Sequence, residues 1–173
     1  MNYPIPETVK CRKHLAKYCE GIGLDIGFGG EPIVQSAICF DRATSDVRRA
    51  IHKNPGPTHL IGDAALGLRW FVDDQLDYVY SSHVLEDFED TTKVLVEWLR
   101  VVRPGGLLII NCPDEQAYRK AAGDARNRAH AHTDFSLAFV KAILDNIGKT
   151  KVVFERFPVA EDSFSFYLVA EKL

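Results

Sequence analysis

The sequence predicts an α/β fold built on a mostly parallel sheet, with an antiparallel strand pair at the carboxyl end. Three observations carry this. Short apolar runs alternate with segments of helical periodicity as far as residue 147. Three of the first four runs end in an acidic residue, with or without a glycine turn: Asp25 before Gly27-Phe28-Gly29-Gly30, then Asp41, then Asp63. The last two runs, 152–157 and 163–172, follow one another with no helix between them.

Residues 1–20 open with Pro4 and Pro6 and continue as a basic amphipathic segment, read as a helix with Leu15 and Tyr18 inward. Ile22, Leu24 and Ile26 then alternate with Gly and Asp, which gives a short strand ending in a glycine-rich turn. Residues 36–40 are a continuous apolar run closed by Asp41, as a strand buried on both faces reads. Residues 59–62 and 76–81 supply the third and fourth strands. Over 91–102, Val94, Leu95, Trp98 and Val101 or Val102 fall at helical spacing. Pro104-Gly105-Gly106 stops that helix, and 107–111 form a buried strand. Ser136 caps a last helix whose inner face is Leu137, Val140, Ile143, Leu144 and Ile147, with Gly148 at its end.

The 173 residues suit one domain spanning 1–173, and 46% apolar with 26% charged residues is ordinary for a globular chain. A net charge of −3 offers no general attraction for nucleic acid. A basic group (Lys10, Arg12, Lys13, His14, Lys17) and an acidic one (Asp73, Asp74, Asp77, Glu86, Asp87, Glu89, Asp90) read as solvated surface. Cys11, Cys19, Cys39 and Cys112 form no metal-type spacing. With no signal-peptide pattern and no bilayer-length apolar stretch, the expectation is a cytoplasmic protein without a membrane partner.

Ligands of open parallel sheets bind at the carboxyl ends of the strands. A dinucleotide turn wants G-x-G-x-x-G, but Pro32 stands where the third glycine belongs, and Asp25 ahead of the turn repels a pyrophosphate. A cationic group is instead welcome at Asp25. Asp41 is placed for a ribose diol, and Asp63 with Ala64 for an adenine edge. An amino group, a ribose and an adenine without phosphate describe S-adenosylmethionine.

The stretch GLDIGFGG resembles the first motif of the class I S-adenosylmethionine-dependent methyltransferases. Gly62-Asp63-Ala64, LDYVYSSHVLEDF and WLRVVRPGGLLIINCPDE are similar to later motifs of that family, in the same order. The resemblance implies a Rossmann-like seven-stranded sheet, mostly parallel, with the antiparallel carboxyl-terminal pair. It implies a helical lead over 1–20, a cofactor-binding half over 21–115 and an acceptor side over 116–173. Asp25, Gly27 and Gly29 would surround the methionine part, Asp41 the ribose, and Asp63 and Ala64 the adenine. Ser81 and Ser82 would lie where the cofactor meets the acceptor. Asp87 departs from the histidine of many relatives. PGGLLIINCPDE, Tyr118 and the later His130-x-His132-x-x-Phe135-Ser136 are similar to methyltransferases found with bacterial polysaccharide enzymes.

For chemistry the expected residues are His83, His130 and His132. A base beside an aligned acceptor assists methylation of an alcohol or phenol. Each has a structural alternative: His83 as a backbone-bonded histidine in a helix's first turn, the other two as solvated loop groups. No metal is expected, although His130 and His132 with Asp114 or Glu115 have suitable ligand chemistry. Arg119, Lys120, Arg126 and Arg128 suit an acidic acceptor or plain solvation. Cys112 and Trp98 read as core, and Trp70 with Phe71 as a corner near the adenine side. The acceptor expected is a small molecule or glycan precursor, with no nucleic-acid partner, in a monomer or homo-oligomer. The alternative is an inactive methyltransferase-like binding or regulatory subunit.

Overall fold

The computed structural model describes residues 5–42, 58–123 and 127–173. Their elements, in chain order, are α1 (Glu7–Leu15), β1 (Gly23–Ile26), β2 (Ile38–Asp41), β3 (Leu60–Ile61), β4 (Leu76–Ser82), α2 (Thr91–Val101), β5 (Val102–Pro113), α3 (Glu115–Ala122), α4 (Leu137–Ile147), β6 (Thr150–Arg156) and β7 (Ser165–Lys172). The strands make one seven-stranded sheet in the order β3-β2-β1-β4-β5-β7-β6. β1 to β5 pair in parallel, and β7 runs antiparallel between β5 and β6. The chain order steps out from β1 through β2 to β3, then returns to β4 on the other side of β1. That reversal is the switch point at which such sheets open a crevice.

Alternation along the strands divides the core in two. Leu24, Ile26, Leu108, Ile110, Phe166 and Leu168 face one side, where Val94, Leu95 and Trp98 of α2 and Val140 and Leu144 of α4 cover them. Tyr78, Tyr80, Ile109, Tyr167 and Val169 face the other, packed on Cys11 and Leu15 of α1 and on Ile33. Asp90 caps α2 through Lys93 N at 2.9 Å, and Ser136 caps α4 through Phe139 N at 3.1 Å. Gly148 closes α4 in the left-handed region, φ 69°, a conformation that costs glycine little.

Two readings of the sequence need correction. Residues 102–106 belong to β5, which leaves α2 directly: Val102 pairs with Leu76 before a register shift brings Leu107 opposite Tyr78. The glycines serve a bulge there. A Cβ on Gly106 would lie 2.7 Å from Val102 Cγ1 and 2.8 Å from the Asp77 carbonyl. Helix α3 was not expected: EQAYRKAA is short, and its one apolar stripe is Ala117, Tyr118, Ala121 and Ala122. Its start is fixed by Asp114, whose carboxylate accepts from Ala117 N at 3.0 Å.

All four cysteines are buried, and none is in a disulfide. Among the described residues no helix is long and apolar enough to cross a membrane.

Candidate functional site

The glycine turn is built by the acidic residues around it. Asp25 is buried in β1, and its carboxylate accepts from Ile33 N at 2.7 Å, which folds the chain back after the turn. Gly27 N donates to the Phe40 carbonyl at 2.8 Å, and Gly29 N reaches Asp41 Oδ2 at 3.4 Å. Gly27, Gly29 and Gly30 have φ of 70°, 62° and 97°, where a side chain would strain the backbone. Val84 Cγ2 lies 2.2 Å from where a Cβ on Gly27 would stand.

Beside this turn opens a cleft of about 150 Å³, lined among others by Gly27, Phe40, Asp41, Ala64, Asp87 and Phe88. Its walls are apolar and Asp41 supplies an acceptor at the end of β2. Phe71 is buried below, while Trp70 is 51% exposed with its ring edge against Phe40. Asp63 turns partly away: Oδ1 accepts from Ala65 N at 2.9 Å, and Oδ2 lies 3.7 Å from Arg42 Nε. Ser81 and Ser82 are committed inside the protein. Ser81 Oγ donates to the Ile26 carbonyl at 3.1 Å, tying β4 to β1, and Ser82 Oγ accepts from Asn111 Nδ2 at 2.9 Å.

The three histidines separate. His83 follows β4 with φ 52°, outside any helix, contrary to the first-turn alternative. Its Nε2 lies 3.1 Å from Ser165 Oγ and 3.7 Å from Glu7 Oε2. Burial pushes its pKa down to about 3, so the ring is neutral. His130 is not solvated: its side chain is 4% exposed, and Nδ1 bonds Glu115 Oε2 at 2.6 Å. Burial raises the pKa of Glu115, but bonds from His130 and Arg119 outweigh it and the value falls. His132 Nε2 lies 2.9 Å from both Thr91 Oγ1 and the Phe88 carbonyl, and its ring packs on Phe135 and Phe139. It braces the loop against α2. The metal set considered from sequence does not assemble, since His132 stands apart from the His130–Glu115 pair and Asp114 caps α3. Arg119 bonds Glu115, and Arg119 and Arg128 line a separate shallow cleft. Arg126 lies outside the described residues.

Glu86 corrects the surface reading of the acidic group. It is 1% exposed, with Oε1 3.8 Å from His83 Nδ1 and 3.9 Å from His130 Nε2. Burial pushes its pKa up to about 8. Glu7, Asp162 and Ser165, gathered around His83, were also missed. They are distant in sequence and meet only because α1 and the β7 approach converge on the end of β4. No local pattern announces them.

The profile of the methyltransferase domain family matches residues 24–110, half of the chain. The chain belongs to that family. Its fold is similar to a SAM-dependent methyltransferase from Archaeoglobus fulgidus, with 16% identity over 95% of this chain and 92% of that one, TM-score 0.72. It is also similar to a Haloferax volcanii methyltransferase in complex with the Trm112 methyltransferase activator, at 17% identity, 96% and 90% coverage, TM-score 0.71. A SAM-dependent methyltransferase from Aquifex aeolicus matches at 14% identity, 98% and 94% coverage, TM-score 0.63. No curated protein sequence matches the chain.

Proposed function

We propose that this protein is an S-adenosylmethionine-dependent methyltransferase acting in the cytoplasm on oxygen or nitrogen of a small molecule or glycan precursor. The observation that carries the reading is the left-handed glycine turn between Asp25 and Asp41, opening on an apolar cleft. The residues suit the cofactor. Asp41 accepts from a ribose diol, Ala64 and Phe40 wall an adenine, and the bare backbone of Gly27 and Gly29 admits the methionine part between strands. Asp25 acts by holding this turn through Ile33. Ser81 and Ser82 support the rim from within the sheet, and Asp63 shapes the Ala64 turn through Ala65 N.

The cofactor, when bound, supplies a methyl group on a positively charged sulfur. What the chain must add is alignment of the acceptor and exclusion of water. Of the histidines we place His83 at the acceptor side, with His130 and His132 fixing the segment before α4 through Glu115, Thr91 and Phe88. The Haloferax relative's complex with a methyltransferase activator is what supports a protein partner for this chain.

Parallel calorimetric titrations with S-adenosylmethionine, S-adenosylhomocysteine and NAD test the reading. Binding of both adenosyl compounds on the order of micromolar, with none for NAD, supports it. Silence from both transfers the weight to an inactive methyltransferase-like binding subunit.

A further inference from the structure

We propose that Glu7, His83 and Asp162 form a divalent-cation site at the carboxyl end of β4. One ligand atom from each lies within 4.8 Å of the others. The three come from separate parts of the fold: the first residue of α1, the residue after β4, and the loop before β7.

Their hydrogen bonds leave this arrangement incomplete. Glu7 Oε1 bonds Lys10 Nζ at 2.7 Å, but Oε2 is buried and makes no hydrogen bond among the described residues. Asp162 is held rigidly: Oδ1 accepts from Phe164 N and Ser165 N, and Oδ2 from Ser165 Oγ at 2.7 Å. Two carboxylates facing one another repel unless a proton or a cation stands between them. Lys10 offsets one of the two charges, and one remains.

A second observation lies on the far side of the His83 ring. A metal-bound imidazole commonly donates its other ring N–H to a carboxylate. Glu86 stands at that position, with Oε1 3.8 Å from Nδ1 and with Oε2 buried and unbonded. An ion on Nε2 places the ring hydrogen on Nδ1, on the side of Glu86. Without an ion, Nε2–H donates to Ser165 Oγ, and Nδ1 has no hydrogen to turn toward Glu86. One imidazole and two carboxylates, completed by water, suit Mn²⁺ or Zn²⁺. A role for the ion in holding an acceptor oxygen rests on the methyltransferase reading; its binding does not.

The test uses the full chain after chelation. Mn²⁺ is titrated and free ion followed by electron paramagnetic resonance, Zn²⁺ is added as competitor, and S-adenosylhomocysteine binding is measured on the same samples. The expected result is one saturable Mn²⁺ site displaced by Zn²⁺. Asp162→Asn and Glu7→Gln should each weaken it by about tenfold or more, while adenosyl binding holds. Using both variants guards against one of them failing to fold. No saturable binding of either ion, or binding that both substitutions leave unchanged, overturns the site. Mn²⁺ binding with no adenosyl binding keeps the site and removes the methyltransferase reading.

Discussion

Replacing Glu86 by Gln should remove a pH dependence of stability that the wild-type protein carries. The carboxyl is sealed between His83, His130 and Cys112, and burial raises its pKa from the ordinary 4.5 to about 8. Within that window the folded protein keeps a proton that the unfolded chain releases, so stability falls as pH rises. The slope limit is about 1.4 kcal/mol per pH unit, and the whole window amounts to a loss on the order of several kcal/mol. His83 works in the opposite sense. Its pKa is depressed by burial from 6.5 to about 3, so its contribution is lost as pH falls through that range. Between pH 4.5 and 6.5 the two offset each other, and above 6.5 the decline due to Glu86 stands alone. Urea unfolding of both proteins at a series of pH values from 5 to 9 gives the measurement. Subtracting the Glu86→Gln curve cancels the groups common to both. A wild-type curve that declines relative to the variant up to about pH 8 and then levels is the expected result. Parallel curves between pH 6.5 and 8 would mean that Glu86 is ionised in the folded protein, and the reasoning from burial would fail.

Other perturbations probe the rest of the site. Asp41→Asn should weaken S-adenosylmethionine binding by about tenfold or more, through loss of charge-assisted ribose bonds; unchanged calorimetric affinity would refute the ribose placement. Gly27→Ala combines a left-handed backbone, about 1–2 kcal/mol, with the close approach of Val84. Its melting temperature should fall by about 4–8 °C, and adding Val84→Ala should recover only the steric part; full recovery would show that the backbone conformation costs nothing. His132→Ala should cost about 1–3 kcal/mol by unmaking its contacts with Phe88 and Thr91, with cofactor affinity intact. An unchanged melt would deny it the bracing role.

The sheet was legible because its signals are local. Apolar runs such as 36–40, the α2 stripe around Trp98, and Ser136 with Gly148 at the ends of α4 each announce an element within a dozen residues. The antiparallel pair followed from the missing helix between the last two runs. Helix α3 stayed hidden because it is only two turns long and its apolar stripe is mostly alanine, which buries little surface. At the site, the glycine turn and Asp41 could be read from chain order, since strand ends gather at one edge of a parallel sheet. The environment of each histidine could not. His130 and His132 are two residues apart, yet one is buried against Glu115 and the other packs between aromatic rings. Glu86 and Asp87 are adjacent in an acidic run. Only Glu86 is fully enclosed, because the short 3₁₀ turn at Leu85–Asp87 points it inward.

The placement of β7 bears on how the protein comes to exist at all. It is the last strand of the sheet in sequence, yet it is an inner one, hydrogen-bonded to β5 on one side and β6 on the other. Until residues 165–172 have left the ribosome, β5 presents an edge of unpaired backbone N–H and C=O groups and β6 has no neighbour. The sheet cannot be finished in the order in which it is made. Asp162 and Ser165 arrive with that strand, so the surroundings of His83 are completed in the same closing step as the core.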